Sequence, residues 1–566
     1  MSSLTGKAPP EALLAARPQS SFSFLAAGIL LLCLLLSIPA LTIFFSVGSS
    51  TEDGVWQHLY DNLLWEYISQ SLVLMAGVGA LVLVLGVFPA WLVTMTRFPG
   101  SRLLEWALVL PLAIPAYIIA YTYTGMLDVG GPVQTAIRET FDVRYGEYWF
   151  PAVRSSGGAI FMLGLVLYPY VYLLSRVAFL EQSVCVLEVS RTLGASPSRT
   201  LFRVAIPLAR PAIVAGLSLV LMETLADYGT VQYFGLSVFT TGIFRTWFGL
   251  GSSTAAAQLS VVLMLFILGL VLVEHWSRQQ ARYHHTSMKY SRLPQLQLRS
   301  WRKVAAMVFC FSPLLAGFAI PFIQLVIWTI ETWAIIDRSA FLKLLVNSVE
   351  LATIAALLTL VLGLVIAYSK RLQPTLAVRT GFRILGLGYA IPGTVIAVGV
   401  LIPFAWLDNI LDGWMRQQFG ISTGLLLSGT LVTVLFAYAV RFLPVAMNTL
   451  DAGLGKIKPA MDDVGRSLGL GPLRILRQVH IPMLKTSLLT AALLVFVDVL
   501  KELPATLILR PFNFNTLAIR TYELANQERL AEAASSALMI VLAGIIPVLI
   551  LSMSISRARP GHDSRS

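Results

Sequence analysis

Four carboxylates stand in strongly apolar company in this chain. Glu223 and Asp227 fall in "LMETLADYG", and Asp498 and Glu502 in "FVDVLKEL". Each pair is spaced i, i+4, which puts two acids on one face of a helix. An ionisable group inside a membrane span costs about 2.5–3.5 kcal/mol on insertion scales, so it is expected to face a bundle interior or water. Carboxylate oxygens suit a hard cation, and Tyr228 beside Asp227 adds a phenol oxygen. These five residues are the expected lining of a translocation path, and no metal-ligand set is assigned. Structural pairing between helices is the competing reading. Lys501 can reach Asp498 at i+3, but it leaves Glu223 and Asp227 without a local partner.

The elements that must position these acids are legible from composition. Of 566 residues, 57% are hydrophobic and 12% charged, too little charge to cover a soluble protein of this size. Runs at 24–47, 72–95, 304–330 and 351–368 approach the roughly 20 residues of a spanning helix. They do not alternate polar and apolar residues as the strands of an outer-membrane barrel would. The expected fold is therefore all-α and polytopic. Twelve transmembrane helices are predicted, at 24–47, 68–95, 103–125, 158–180, 208–228, 256–276, 304–330, 344–369, 383–405, 423–447, 484–505 and 533–556. The first is too long and too far along the chain for a cleaved signal, so it is expected to be a retained helix.

A net charge of +12 invites a nucleic-acid reading, but its distribution argues against one. With the N-terminus in the cytoplasm, most Lys and Arg fall on the inner side, the positive-inside pattern. The densest stretch, 277–303, carries Arg278, Arg282, Lys289, Arg292, Arg299 and Arg302 and reads as a cytoplasmic linker. Cys33, Cys185 and Cys310 are scattered and make neither a disulfide framework nor a thiolate site. His284 and His285, inside the basic linker, read as a solvated loop.

The chain repeats itself. "EVSRTLGASPSRTLFRVAIP" from Glu188 and "DVGRSLGLGPLRILRQVHIP" from Asp463 share ten of twenty residues at an offset of 275. "QSLVLMAGVGALVLVLGVFPA" from Gln70 matches "NSVELATIAALLTLVLGLVIA" from Asn347 at 277, and "AIP" at Ala113 recurs at Ala390. The predicted organisation is a tail at 1–23, a six-span repeat at 24–276, the linker at 277–303, a second repeat at 304–556 and a tail at 557–566. An even number of spans makes the repeats parallel, so a path between the halves is expected.

Both copies of the repeated stretch fall in cytoplasmic loops, after the fourth and the tenth spans. Gly194 and Gly469 supply helix C-caps, and Pro197 and Pro472 open a short second helix after Ser196 and Gly471. Leu201 with Val204, and Leu476 with Val479, share one face of it. Pro207 and Pro482 are expected to end the element before the next span. One such helix alone would be a membrane-surface helix. Two at equivalent positions imply two identical soluble partners.

The pattern of an acidic residue, a glycine six later and Ile-x-Pro-like closure, here Ile-Pro thirteen beyond the acid-glycine unit, resembles the "EAA" loop of permease subunits of bacterial ABC importers. The matching residues are Glu188, Gly194, Ile206 and Pro207, then Asp463, Gly469, Ile481 and Pro482. Val189–Ser190 and Val464–Gly465 stand where the family has alanines. "ETLADYGTVQYFG" with "TTGIFRTWFG", and "DVLKELPATLILRPFNFNTLAIRTYELA", are similar to the ferric-iron permeases of that superfamily. The resemblance implies two parallel six-helix repeats of the type I ABC importer permease fold, in a bacterial inner membrane with both termini cytoplasmic. It implies that the loops dock into two ATPase subunits, and that a periplasmic ferric-iron-binding protein delivers the substrate. Thiamine and aminoethylphosphonate systems share the fused organisation.

No G-x-x-x-x-G-K-[ST] loop is present, since "GLGKIK" at Gly453 has neither the spacing nor the Ser/Thr. Hydrolysis is therefore expected on a separate chain, with ATP and Mg bound there and no cofactor here. A secondary transporter would also explain twelve spans and buried acids, but not the duplicated loop. A membrane enzyme would need a cluster of His, Ser or Cys on facing spans, which the sequence lacks.

Overall fold

The structure is a computed structural model that describes residues 24–48, 54–182, 190, 192–193, 196–279, 296–298 and 301–557. Among the described residues, ten helices are long and apolar enough to cross a membrane, and two bent helix pairs bring the spans to twelve if each pair is one span. The first repeat runs through Phe24–Phe45, Leu64–Met95, the bent third span, Ser156–Glu181, Ile206–Ala226 and Ser253–Gln279. The second runs through Trp301–Thr332, Arg338–Leu372, Gly393–Phe419, Leu431–Gly455, the bent eleventh span and Leu530–Arg557. Strand pairing among the described residues is one two-residue parallel ladder, Thr96–Arg97 against Leu296–Gln297, which ties the linker to the end of the second span.

Proline decides where several of these helices break. The predicted continuous spans at 103–125 and 383–405 are both interrupted at their shared "AIP". Ile114 and Ile391 are extended (φ −97, ψ 116 and φ −79, ψ 125), each after a short 3-10 turn, and helix resumes after Pro115 and Pro392. A residue before proline is pushed out of the α region, which is why both copies break there. The ninth crossing accordingly begins at Gly393 and extends to Phe419, well beyond the predicted end at 405. A second device recurs at Ile206–Pro207, Ile481–Pro482 and Ile320–Pro321, where a π turn precedes the proline. The wider turn accommodates a ring that would otherwise clash with the preceding carbonyl.

The halves are interlocked. The first span packs on the ninth, and the seventh span packs on the second and fourth spans of the other half. A Cβ built on Gly399 would lie 2.4 Å from the Pro39 carbonyl oxygen, and one on Gly317 would lie 2.8 Å from the Leu165 carbonyl oxygen. The Tyr123 hydroxyl donates to the Ala316 carbonyl at 2.6 Å across the same boundary.

Inside each half, the second span lies on the fourth and the eighth on the tenth, and one glycine at the same repeat position permits each approach. A Cβ on Gly86 would come within 2.7 Å of Val171 Cβ, and one on Gly363 within 3.1 Å of the Met447 backbone nitrogen. Without a hydrophobic drive between helices in lipid, close packing at small residues carries association. Gly86→Val is therefore expected to lower the thermal midpoint of the detergent-solubilised protein, by an overpacking penalty of about 1–3 kcal/mol. Gly28→Val, on the exposed first span with nothing within 4 Å of its Cβ, should leave the midpoint in place.

Candidate functional site

Between the halves, near the upper ends of the fifth and eleventh spans, lies a cavity of about 140 Å³. Its charged lining is Glu223, Asp227, Asp498 and Glu502, opposed by Arg441 and Lys501. Tyr117, Tyr170, Tyr228 and Tyr389 complete the polar wall. The structure thus brings all five predicted path residues to one place, with contributions from both repeats. Such a volume admits a bare ion with a few waters. Among the described residues, no group of three or more His, Cys, Asp or Glu is placed to hold a metal ion.

The acids do not share helical faces as their spacing predicts. The fifth and eleventh helices stop at Ala226 and Leu500, so Asp227 and Glu502 lie beyond the last turn. They are equivalent caps. Asp227 accepts from the backbone of Thr230 and Val231 at 3.0 and 3.1 Å and from the Thr230 hydroxyl at 3.1 Å. Glu502 accepts from the backbone of Ala505 and Thr506 at 2.9 and 3.0 Å and from the Thr506 hydroxyl at 2.6 Å. Each carboxylate satisfies the free N–H groups that open a short helix, Gly229–Tyr233 or Pro504–Leu509. Away from water those groups have no other partner.

The remaining pair differs. Asp498 is bound by Lys501 at 2.8 Å, the i+3 pairing the sequence allows. Glu223 has no hydrogen-bond or ion-pair partner among the described residues and borders the cavity. Tyr228 borders it too, but its hydroxyl lies 3.5 Å from that of Tyr522 and its ring packs on Phe244. The phenol belongs to an aromatic layer between the halves and is not presented beside Asp227 as a ligand. Sequence reasoning missed Arg441, Tyr170 and Tyr389. An arginine inside "AYAVRFLPV" of the tenth span was the available signal.

The two repeated loops show the second site. In the second copy, helix Ala460–Ser467 ends in a Schellman cap. Gly469 N–H donates to the Arg466 carbonyl at 2.9 Å, Leu470 N–H to the Gly465 carbonyl at 3.0 Å, and Gly469 takes φ +75. Gly471 and Pro472 then open Pro472–Ile475, as predicted. In the first copy, Glu188 and Gly194 lie outside the described residues, as does the side chain of Pro197. Ser196 is the N-cap there, accepting from Arg199 N–H at 3.3 Å.

Two expectations about these loops need correction. Pro207 does not end the element, because the loop helix passes through the π turn into the fifth span as one helix from Ser198 to Ala226. In the second copy the chain does bend, by 78°, but at Leu484, beyond Pro482. Leu201 is buried and Leu476 and the Ile206/Ile481 pair are half-buried, so these side chains anchor the loops. Asp463, Gly469, Pro472, Pro207 and Pro482 are exposed. The most exposed apolar groups are Leu193, its counterpart Leu468 and, in the second copy, Leu473, at 81%, 72% and 76%.

The two loops are held differently. Arg371 donates to Asp462 at 2.8 Å and to the Leu454 and Ile457 carbonyls. His480 Nε2 lies 2.6 Å from Asp462, and the Tyr368 hydroxyl donates to the Pro472 carbonyl at 2.7 Å. Burial lowers the His480 imidazole below its ordinary pKa, against the opposing pull of Asp462. In the first half Trp91 packs edge-on against Phe179 and Phe88 against Phe202.

Residues 82–278 match the family described as binding-protein-dependent transport system inner membrane component. That match lies within the first repeat and its stretch is that of an inner-membrane transport permease. The chain is 29% identical over 530 residues to the Fe(3+)-transport system permease protein FbpB 2 of Haemophilus influenzae, covering 92% of this chain and 97% of that one. It is 25% identical over 546 residues to the ferric transport system permease protein FbpB of Actinobacillus pleuropneumoniae, covering 92% and 76%. The molybdenum transport system permease protein ModB of Escherichia coli K12 is 25% identical over 224 residues, 38% of this chain but 95% of that one. A one-unit relative matching less than half the chain agrees with duplicated permease halves. Members of that family are transport subunits without a catalytic domain, and ATP binds to their partner ATPase subunits.

Gly469→Asp places a Cβ residue in the left-handed conformation, at a cost of about 1–2 kcal/mol. Nothing lies within 4 Å of that Cβ, so the effect comes from the conformation and the added charge and not from a clash. Pull-down of the ATPase subunit should fall for Gly469→Asp and hold for Gly471→Ala, whose φ is −70.

Proposed function

We propose that this permease imports ferric iron delivered by a periplasmic ferric-iron-binding protein and is driven by two copies of an ABC ATPase subunit docked on the paired loops. What carries the reading is the carboxylate- and tyrosine-lined cavity between the halves. Its oxygen donors suit a hard trivalent cation. The sparse ligation suits a passage, since a tight internal site would hold its cargo. The relatives that match along most of the chain are named for Fe(3+) or ferric transport, which favours iron over thiamine or aminoethylphosphonate. Leu193 in the first loop and Leu468 and Leu473 in the second are exposed apolar contacts for the ATPase. ATP-driven closure of the ATPase pair would move both loops and rock the halves about the cavity.

The substrate test is uptake into proteoliposomes holding the full complex, with the co-encoded binding protein loaded in turn with Fe3+, thiamine or aminoethylphosphonate. ATP-dependent accumulation of iron alone is expected, and accumulation of either organic substrate in its place refutes the assignment. The acids should separate into two classes. Glu223→Gln and Asp498→Asn are expected to assemble with the ATPase and lose iron uptake. Asp227→Asn and Glu502→Gln should first reduce assembled complex, because each weakens a cap to which buried N–H groups donate. Iron uptake at wild-type rate in Glu223→Gln/Asp498→Asn would remove these acids from the path.

The charge distribution also supports a cytoplasmic location for both termini and the 277–303 linker. On a Cys-free background, Ser287→Cys should be labelled by an impermeant thiol reagent only after the inner face is opened. Labelling from the periplasmic side would invert the assignment.

A further inference from the structure

The cavity is symmetric in its acids and asymmetric in its cations. Under the repeat offset, Glu223 corresponds to Asp498 and Asp227 to Glu502, so each half supplies two carboxylates. Both cations come from the second half. The first half has Val166 where Arg441 stands and Ala226 where Lys501 stands, and both of these small apolar residues line the same cavity. The ninth span is adjusted to match. Gly393, where the first half has Ala116, leaves room for the guanidinium, and a Cβ there would lie 2.3 Å from Arg441 Nη1.

Structural need does not account for Arg441. Glu502 is already satisfied by three hydrogen bonds from its capped helix. The guanidinium approaches it only to 3.6 Å, and its buried Nε and Nη1 make no hydrogen bond. Lys501 sits 2.8 Å from Asp498 while bordering the cavity. Two fixed positive charges therefore stand inside a ring of four carboxylates. Without them, four acids facing one small cavity in a low-dielectric layer would recruit protons or small cations as counter-ions.

We propose that Arg441 and Lys501 are built-in counter-ions that keep protons and monovalent cations from using the resting cavity as a leak. The inference rests on reading the cavity as the path. A cargo of higher charge, delivered when the halves open, competes for the carboxylates where a monovalent ion does not. One half carries the acids alone and the other carries acids with their plug.

The test restores the first half's residues in the second. Arg441→Val/Lys501→Ala and wild type are reconstituted with the ATPase subunits and without ATP or iron. Proton and Na+ entry is then measured under an imposed potential. Wild type should be as tight as protein-free vesicles, and the variant should leak at least tenfold faster. Adding Glu223→Gln and Asp498→Asn to the variant should abolish that leak. An assembled variant as tight as wild type, or a leak that persists without these acids, overturns the proposal. If the double variant does not assemble, Lys501→Ala alone replaces it and must leak, and a tight Lys501→Ala likewise overturns the proposal. Because no iron is present, this result is independent of whether Glu223→Gln/Asp498→Asn loses iron uptake.

Discussion

Two capping carboxylates hold the centre of this permease together. Asp227 and Glu502 each bind the exposed N–H groups of a short helix that starts between the halves. A membrane protein has no water to spare for such groups, so irregular backbone at this depth exists only where protein satisfies it. Remove the caps and the chain has no low-energy way to leave the fifth and eleventh helices where it does. The cavity exists because those helices stop early, and they can stop early because an acid waits one or two residues beyond. Glu223 and Asp498, one turn back, are then left on the helix ends facing the space the caps have opened.

The two repeated loops obey the same rule outside the apolar spans, with different chemistry in the two halves. The second loop is tied to the end of the eighth span through Arg371, Asp462, His480 and Tyr368. In the first half the corresponding positions are Thr94, Leu187, Ala205 and Trp91, and the loop helix is continuous with the fifth span. A continuous helix transmits displacement along its axis. The bent eleventh span cannot, and the buried polar network supplies the missing stiffness by welding the loop to a neighbouring span. The two loops are thus held by a continuous helix in one half and by a braced bend in the other.

Much of this was legible in the sequence because it follows local rules. Apolar runs marked the spans, and the repeat offset paired the halves. Gly469 announced a C-cap that the structure closes with both Schellman bonds. The site was harder. The i, i+4 spacing of Glu223 and Asp227 favoured one continuous helix, and only the position of Thr230 and Val231 relative to Asp227 reveals that its carboxylate is spent on backbone. Pro207 looked like a stop because proline removes a donor, whereas a π turn just before it absorbs the ring. Arg441 was hidden by distance, since its relation to Glu502 and Gly393 spans three helices and has no sequence period. Local chemistry predicts caps and breaks, while the convergence of remote charges is a property of packing.

Gene duplication explains how such a site arises without disturbing the fold. The elements that must be identical for assembly, the Ile-Pro breaks, Gly86 and Gly363, and the two caps, keep the same position in both halves. Divergence elsewhere along the halves extends to the side chains that face the cavity and the loop bases. Val166 and Arg441 differ in charge but occupy the same place on equivalent helices, and the compensating change is a single methyl group lost between Ala116 and Gly393. An arginine introduced into a symmetric dimer of six-span units would appear twice and neutralise both pairs of acids. A fused chain can place it once. The asymmetry that gives this cavity four carboxylates against two cations is therefore available to the fused architecture and not to a homodimer of halves.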